Sequence, residues 1–249
     1  TLAAERRLIA SPRLRAIICN SNLVAAELRS HFGVPDSKLR VIQNGVDLAR
    51  FHPRLRAEWR ERTRERLGIP PGAQVYLFLG SGFERKGVAQ LLNAFARLPD
   101  RDGRHVIVVG TDRKAGMFEA RSQALGLAGH AHFPGAQADP CPWYAAADCF
   151  VLPTLYDPFP NAALEAMACG LPVITSTQSG AAELIAAGKN GWVCDALDVS
   201  ALARYMAALD AEGAVRMGAA ARAVAEQHSL ESMARKLIVL YRDLAGASL

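Results

Sequence analysis

The sequence predicts an α/β fold in which a doubly wound parallel sheet is covered by helices on both faces. From residue 75 onward, short apolar runs alternate with amphipathic stretches of helical period. The apolar runs are nearly continuous and do not alternate with polar residues, which is typical of parallel strands buried on both faces. Because strands and helices alternate along this part of the chain, crossover helices should join the strands of one doubly wound sheet.

Six strands and eight helices are predicted after residue 74. The strands are Val75–Leu79, Val106–Val109, Ala131–Phe133, Cys149–Leu152, Val173–Thr175 and Trp192–Cys194. The helices lie near 87–98, 116–125, 140–147, 161–169, 180–187, 200–209, 213–226 and 229–246. Apolar residues recur at helical spacing in the last helix, at Leu237, Ile238, Leu240, Tyr241 and Leu244. Ligands of such sheets bind outside the carboxyl ends of the strands, so a site is expected in the loops that follow them.

The first 50 residues show a different pattern. Ala16–Cys19 and Arg40–Ile42 are predicted strands, and Ser21–His31 is a predicted helix. Two strands and one helix do not make a domain, so we interpret them as the last elements of a preceding domain whose body is absent. The chain also opens on Thr1 without an initiator Met, which suggests a cut or cleaved start.

The predicted organisation therefore has four parts. Residues 1–50 are the remnant of an N-terminal domain with its linker, and residues 51–74 are a basic connector with one arginine-rich helix. Residues 75–227 form the ligand-binding domain, and residues 228–249 form a C-terminal helix.

The bulk composition excludes several classes of protein. The chain has 249 residues, 51% of them hydrophobic, but no apolar run approaches the roughly 20 residues that span a bilayer. No secretory signal is present, and the five cysteines are odd in number and lack zinc-ribbon spacing. A reducing, cytoplasmic location is therefore expected.

The net charge of +5 is concentrated in one segment, Arg54–Arg66, which holds six arginines. One interpretation is a surface that faces an anion or a membrane. The interpretation that we favour is a solvated helix with internal pairs such as Glu58–Arg62 and Glu61–Arg64. No aromatic ladder accompanies the arginines, so a nucleic-acid partner is not expected.

The first candidate site is Gly-Ser-Gly-Phe-Glu-Arg-Lys-Gly at residues 80–87, between a strand and a helix. Glycines at such a turn let backbone N–H groups approach a phosphate, and the helix N-terminus adds a partial positive charge. Arg85 offers a bidentate fork and Lys86 a point charge, which suits two neighbouring phosphates. The spacing is neither that of a P-loop nor that of a dinucleotide fingerprint. The alternative interpretation is that this segment is a structural loop with exposed basic residues and binds no phosphate.

The second candidate site is the segment 156–170. A helix is predicted here, capped by Asn161 or carrying Pro160 in its first turn. Almost every side chain of this helix is apolar, so Glu165 should be a buried carboxylate that needs a hydrogen-bonding partner. Two partners are possible for this carboxylate. One is a neighbouring backbone group or arginine, and the other is a set of ligand hydroxyls such as those of a ribose. Asp157 lies in the loop before the helix, within reach of the same crevice.

The third candidate site is the loop His132–Gln137, whose backbone could pair with the edge of a base, although most such loops are only connections. Ser179-Gly180 could begin a further helix whose N-terminus faces the crevice. No His-Glu-x-x-His pair indicates a metal site, and no Gly-x-Ser-x-Gly indicates a hydrolase.

These three loops, in this order, resemble the donor-binding, Rossmann-like domain of GT-B glycosyltransferases, and most of all the retaining group-1 (family 4) type. Ile42–Asp47 and Phe51–Pro53 resemble that family's interdomain linker. Asp157 and Glu165 have the spacing of its Glu-x7-Glu motif. The resemblance covers nearly the whole chain.

The resemblance implies a role for each loop. Arg85 and Lys86 would be the catalytic cations that hold the donor diphosphate. Glu165 would bond the ribose hydroxyls, and Asp157 would contact hydroxyls of the transferred sugar. The donor-binding residues implied in this way are Gly80, Ser81, Gly82, Gly135, Ala136, Gln137, Asp157, Phe159, Pro160, Asn161, Ala162 and Glu165. The last helix would cross back to the missing domain.

Two positions depart from the family pattern. The first acid is Asp157, which reaches one methylene less than Glu, and Pro160 replaces a usual Gly and has no N–H to donate. Because of these two departures, the resemblance does not fix the identity of the donor sugar. It still implies the diphosphate site. Within the family, Gly-Ser-Gly-Phe-Glu-Arg-Lys-Gly and Tyr-Asp-Pro-Phe-Pro-Asn resemble lipopolysaccharide core glucosyltransferases. That resemblance implies UDP-glucose, an anionic glycolipid acceptor and peripheral contact with the inner membrane.

The implied reaction is a retaining transfer of a hexose from a UDP-sugar to a glycan or lipopolysaccharide core, without a metal or other cofactor. Acceptor-side groups would lie in the missing domain, so this fragment alone would bind nucleotide but transfer no sugar. Two alternatives stay open: a sugar-nucleotide epimerase of the same fold, and a non-catalytic nucleotide-binding module.

Overall fold

The structure is a computed structural model that describes residues 2–246, with side chains described for residues 4–246. Its elements are, in chain order, α1 (Leu2–Ile9), β1 (Ile17–Cys19), α2 (Asn22–Phe32), β2 (Leu39–Val41), α3 (Leu55–Arg66), β3 (Gln74–Leu79), α4 (Val88–Ala96), β4 (Arg104–Val109), α5 (Ala115–Ala124), β5 (Ala131–Gly135), α6 (Cys141–Ala146), β6 (Cys149–Leu152), α7 (Asn161–Ala168), β7 (Val173–Ser176), β8 (Gly191–Cys194), α8 (Val199–Ala208), α9 (Ala211–Glu226) and α10 (Leu230–Ala245). Short 3₁₀ segments lie at Asp36–Lys38, Arg101–Gly103 and Gly180–Leu184.

A six-stranded sheet lies at the centre of the molecule and confirms the predicted fold class. Its strand order is β5-β4-β3-β6-β7-β8, and every neighbouring pair is parallel. All residues of β6 and β7 are buried, as continuous apolar runs require when both faces of a sheet are covered. The chain winds from β3 to β4 and β5, and then places β6 on the other side of β3. The boundary between β3 and β6 is therefore the topological switch point, where such sheets bind ligands.

Two elements differ from the sequence prediction. Helix α1 lies in a stretch for which no element was predicted. The predicted helix 180–187 is a shorter 3₁₀ segment, Gly180–Leu184. Gly180 lies so close to the Pro158 carbonyl oxygen that a Cβ would collide with it. The Asn190 side chain then accepts from the Ala186 N–H and donates to the Leu184 carbonyl, which closes the following turn.

The N-terminal elements form a small unit attached to the larger domain. Strands β1 and β2 pair in parallel, and four buried side chains form a separate core here: Cys19, Ala25, Val34 and Leu39. Glu183 holds the unit to the larger domain, because its carboxylate accepts from the Asn22 side chain, the Leu23 N–H and the Gln43 side chain at 2.8, 3.0 and 3.1 Å.

The C-terminal helix α10 begins at the linker that follows β2. The Leu230 N–H donates to the Val46 carbonyl at 3.1 Å. The apolar residues predicted to share a face of α10 are not buried together, since Leu240 is buried whereas Ile238 and Tyr241 are 49% and 57% exposed. Among the helices of residues 2–246, none is both long and apolar enough to cross a membrane.

Helix α3 carries the arginine-rich segment, and its side chains differ from those of the predicted solvated helix. Arg56, Arg60 and Arg64 reach the body of the domain and contact a single carboxylate, that of Asp148, at 3.1, 2.7 and 2.8 Å. Arg60 and Arg64 also donate to carbonyl oxygens at the C-terminal end of α6. Two predicted pairs are absent from the ion pairs of the described chain: Glu58–Arg62 and Glu61–Arg64.

Three histidines, His105, His130 and His132, lie together beside the edge of the sheet. His105 is 4% exposed, its ring stacks on those of His130 and His132, and its Nδ1 lies 3.1 Å from His132 Nε2. Burial, followed by the neighbouring His132 and His130, lowers the pKa of His105 to about 4. The folded state therefore binds fewer protons than the unfolded chain once the pH falls below about 6.5, the unperturbed pKa of His.

We expect the free energy of unfolding to fall by about 2 kcal/mol between pH 7.5 and pH 5. The reason is that His105 is protonated at pH 5 in the unfolded chain but stays neutral in the folded state. Urea titrations at the two pH values measure the difference. His105→Gln should remove most of it, whereas His31→Gln, at an exposed position, should leave it unchanged. Equal pH dependence in wild type and His105→Gln would contradict this account.

Candidate functional site

The candidate site is the crevice between the loop after β3 and the loop after β6. The Arg85 carbonyl accepts from the Leu155 N–H at 2.8 Å and from the Thr154 hydroxyl at 3.2 Å. Gly87 has φ +79°, and a Cβ there would collide with the Pro153 carbonyl oxygen. These contacts fix the two loops against each other, so residues predicted separately from 80–87 and 156–165 face one crevice.

The glycine loop 80–82 has a different role from the one predicted for it. The Gly80 and Gly82 N–H groups donate to the carbonyls of Val109 and Thr111, so they are not available to a phosphate. In the described chain the Ser81 N–H makes no hydrogen bond and stays available. A Cβ on Gly80 would lie 2.9 Å from Lys86 Nζ. The glycine therefore makes room for the lysine side chain to lie across the loop.

Lys86, Arg85 and Asp157 are brought together in the crevice, as predicted. Lys86 Nζ lies 3.3 Å from Asp157 Oδ2, and the Arg85 guanidinium lies 3.8 Å from the same oxygen. The Arg85 guanidinium also donates to the Tyr156 carbonyl. The side chains of Lys86 and Asp157 are only 15% and 10% exposed, so water screens their pair weakly. Two cations thus face one carboxylate, which leaves one positive charge for an anion.

Because Asp157 neutralises part of this positive charge, we expect Asp157→Asn to bind UDP about three to ten times more tightly than wild type at low salt. Wild type should bind UDP-glucose more tightly than UDP, and this difference should be smaller in the variant. The reason is that the variant lacks the carboxylate that accepts from sugar hydroxyls. Calorimetric titrations with UDP and UDP-glucose measure both quantities. Weaker UDP binding by the variant would contradict this electrostatic account.

The N-terminus of α7 opens onto the same crevice. Pro160 is the N-cap residue and makes no side-chain cap hydrogen bond. The N–H groups of Asn161 and Ala162 have no partner in the described chain. Neither predicted start of the helix is seen, since Pro160 precedes the first turn and the Asn161 side-chain oxygen accepts from the Asn44 side chain at 2.7 Å. The two N–H groups and the positive end of the helix dipole are thus free for an anion.

The Phe159 side chain packs into the protein interior and does not line the crevice. Its ring is 5% exposed and belongs to the hydrophobic core. It holds the loop between Asp157 and α7 in place by packing, and it leaves ligand contact to its neighbours.

Glu165 is held by a partner that was not among the sequence candidates. The Tyr144 hydroxyl on α6 donates to Glu165 Oε2 at 2.7 Å. No described residue donates to Oε1, which is free to accept from a ligand hydroxyl. Burial raises the pKa of Glu165, although the Tyr144 hydrogen bond opposes this rise. Tyr144 could not be chosen from the sequence, because it lies in an apolar stretch 21 residues away.

Tyr144→Phe should weaken UDP binding by about three- to tenfold, because Glu165 loses the hydrogen bond that orients its carboxylate and favours its charged form. The loss should grow as the pH falls toward 5, since the pKa of Glu165 rises further in the variant. Calorimetry between pH 5 and 8 tests this. Tyr76→Phe is the matched control, because that buried hydroxyl donates to Met206 near the other end of the sheet. Equal effects of the two variants would argue against a role for Tyr144 at the site.

The loop after β5 is arranged for backbone contacts. Gly135 has φ +76°, and its carbonyl accepts from the Gly110 N–H at 3.0 Å. The Gln137 side chain donates to the Pro134 carbonyl at 2.8 Å. The backbone N–H and carbonyl groups of Ala136 and Gln137 make no hydrogen bonds in the described chain. Both residues are exposed, so these groups could meet the edge of a base.

Comparison with known proteins agrees with this geometry. The family described as "Glycosyl transferases group 1" matches residues 60–224, and the one described as "Glycosyltransferase Family 4" matches residues 1–50. A D-inositol 3-phosphate glycosyltransferase of Streptomyces bingchenggensis is 31% identical over 241 residues, which are 91% of this chain and 52% of the relative. This chain thus spans about half the length of the curated relatives that it matches.

Solved structures of the same fold include WaaG, a glycosyltransferase involved in lipopolysaccharide biosynthesis, with a TM-score of 0.84 and 26% identity over 95% of this chain and 65% of WaaG. HepE from Anabaena, solved in complex with UDP and glucose, has a TM-score of 0.82 and 23% identity over 92% of this chain and 63% of HepE. With two thirds of its residues matched by the family and a crevice at the expected switch point, this chain belongs to the group 1 glycosyl transferases.

Proposed function

We propose that this chain is the donor-binding part of a glycosyltransferase that uses a nucleotide-sugar. The observation that carries the proposal is the convergence of three kinds of group on one crevice. Lys86 and Arg85 supply positive charge, Glu165 keeps one carboxylate oxygen free, and the α7 N-terminus keeps two N–H groups free. These groups match a diphosphate, a ribose, and the join between phosphate and sugar, respectively.

In the proposed reaction, the bond between the anomeric carbon of the sugar and the diphosphate oxygen breaks, and charge develops on the leaving diphosphate. Lys86, Arg85 and the N-terminal dipole of α7 stabilise that charge, which lowers the barrier because they are held in place beforehand. We propose that this stabilisation requires no metal. The sugar retains its anomeric configuration, and the groups that orient the acceptor belong to a part of the protein outside this chain.

We further propose that the donor is UDP-glucose. HepE, which shares the fold, has been solved with UDP and glucose. Pro160 lacks an N–H where the family usually has Gly, so one fewer backbone donor faces the sugar or phosphate. The Asp157 carboxylate, 3.3 Å from Lys86 Nζ, would accept from a hydroxyl of the sugar beside the diphosphate cations.

The acceptor in this proposal is an anionic glycan or the core of a lipopolysaccharide. It is supported by the likeness to WaaG, a glycosyltransferase involved in lipopolysaccharide biosynthesis, and by relatives named for D-inositol 3-phosphate, which is an anion. Peripheral membrane contact and a cytoplasmic location belong to the same proposal.

The experiment that tests the proposed activity uses the longer protein that contains this chain. UDP-glucose, UDP-galactose, UDP-N-acetylglucosamine, GDP-mannose and ADP-glucose are each incubated with a lipopolysaccharide core acceptor, and NMR of the product reads the anomeric configuration. Transfer from UDP-glucose with an α-linked product supports the proposal. Epimerised nucleotide-sugar without acceptor would indicate an epimerase instead. Nucleotide binding without either product would indicate a non-catalytic module.

A further inference from the structure

A second cavity lies at the opposite end of the sheet from the proposed donor site. Its volume is about 830 Å³. Its walls include Ala73 and Gln74 where β3 begins, Arg104 where β4 begins and Asp148 just before β6. The donor crevice follows the carboxyl ends of β3 and β6, so the length of the sheet separates the two sites. Ligand pockets commonly have volumes of about 300–1,000 Å³.

One wall of this cavity carries more positive than negative charge. Arg56 and Arg60 line it, and Arg64 lies behind them. All three guanidiniums are bound to Asp148, whose side chain is 12% exposed. The exposures of the arginine side chains are 35%, 18% and 3%, so their charges are largely removed from water. Arg60 also lies 3.9 Å from the exposed carboxylate of Glu61. Three cations beside two carboxylates leave an excess of one positive charge.

The carbonyl oxygens at the end of α6 offset this excess only in part. Arg60 donates to the carbonyl of Ala147 at 3.1 Å, and Arg64 donates to that of Ala146 at 2.9 Å. A helix C-terminus carries roughly half a negative charge, which is less than the excess. The other carboxylate on the cavity wall is that of Asp100. Further basic residues that line the cavity are Arg104 and, on α9, Arg222, which pairs with Glu226 at 2.9 Å.

Another part of the lining is apolar and comes mainly from α9. Ala214, Val215 and Ala219 line it, with Pro53 on the side of the linker. Val215 is 70% exposed although it is a β-branched apolar residue in a helix. The cavity thus combines a cationic wall with an apolar wall, as a pocket for an amphipathic anion does.

We propose that this cavity binds a small phosphate ester, with the phosphate against Arg56 and Arg60 and the organic part against Val215. A guanidinium fork matches the geometry of phosphate oxygens, and Arg56 uses one N–H for the Ala147 carbonyl and one for Asp148, which leaves further donors. An anionic phosphate offsets the excess positive charge. The proposal does not depend on the donor site, because no residue is shared between the two.

Calorimetry of this chain with phenyl phosphate and with inorganic phosphate tests the proposal. We expect both to bind, with phenyl phosphate about tenfold tighter because its ring packs on the apolar wall. Saturating UDP and the Lys86→Ala change should leave the phenyl phosphate affinity unchanged. No binding at millimolar concentrations, or competition by UDP, would overturn the proposal.

Vesicles of phosphatidylcholine with and without phosphatidic acid separate the two sources of phosphate, a small soluble ester and a lipid headgroup. Binding only to the acidic vesicles would overturn the assignment to a small soluble ester.

Two variants locate the binding. Arg56→Gln should weaken phenyl phosphate binding at least tenfold, whereas Arg62→Gln on the exposed face of α3 should not. Since Arg56→Gln could disturb folding, Val215→Asp provides a second test at an exposed position. It places a negative charge at the cavity and should also weaken binding at least tenfold, while the matched change Ala223→Asp, exposed on α9 and outside the cavity, should have no effect. Equal affinities in Val215→Asp and Ala223→Asp would overturn the proposal.

Discussion

Asp148→Ala should lower the free energy of unfolding by about 3–5 kcal/mol, the largest effect on stability that we expect from a single change in this chain. The reason is that Asp148 is the shared partner of Arg56, Arg60 and Arg64, the last of which is 2% exposed. Its other contact, from the Val75 N–H at 2.9 Å, fixes the start of β3. Removal of the carboxylate leaves buried cations without a counter-charge.

Urea unfolding at pH 7.5 measures this effect, and Asp139→Ala is the matched control. Asp139 also pairs with an arginine, Arg50, but both side chains are about half exposed. Exposed pairs contribute about 0–1 kcal/mol. If the two alanine variants were equally stable, the assignment of α3 as an element anchored through Asp148 would be wrong.

Lys86→Ala should weaken UDP binding by about 10- to 100-fold, which corresponds to about 1.4–2.8 kcal/mol. Lys86 is 15% exposed, so its charge acts on a phosphate with little screening by water. Uridine, which has no phosphate, should bind wild type and variant equally. Calorimetry with both ligands separates a lost phosphate contact from a distorted pocket, because distortion would weaken both.

Lys114→Ala serves as the control for this lysine. Lys114 follows the neighbouring strand β4 and pairs with Glu84, but its side chain is 56% exposed. Its removal should change UDP affinity less than twofold. A loss of similar size in both variants would mean that the overall positive charge of this edge, and not Lys86 in particular, governs binding.

The parallel sheet could be predicted because its cause is local to each strand. A run such as Cys149–Leu152 is apolar throughout, and only a strand covered on both faces accommodates this. The meeting of Lys86 with Asp157 could be predicted for a similar reason. Each residue follows a strand, and the carboxyl ends of β3 and β6 lie side by side in the sheet.

The partners of buried polar groups could not be predicted, because they lie far apart along the chain. Spacing within α3 suggested pairs with neighbouring acids, whereas Arg64 contacts Asp148, 84 residues away. Glu165 was recognised as a carboxylate that needs a partner, but its partner Tyr144 lies on another helix. The N–H group of Gly80 is used by the carbonyl of Val109 on a neighbouring strand. Such contacts depend on how the strands and helices pack against one another.

A crystal structure of this chain with UDP tests the central claim most directly, since it shows where each part of the nucleotide lies. The account predicts the base against the backbone of Ala136 and Gln137, the ribose hydroxyls on Glu165, and the diphosphate at Lys86 and the N-terminus of α7. UDP seated elsewhere, or seated in this crevice with its diphosphate away from both Lys86 and α7, would contradict the account.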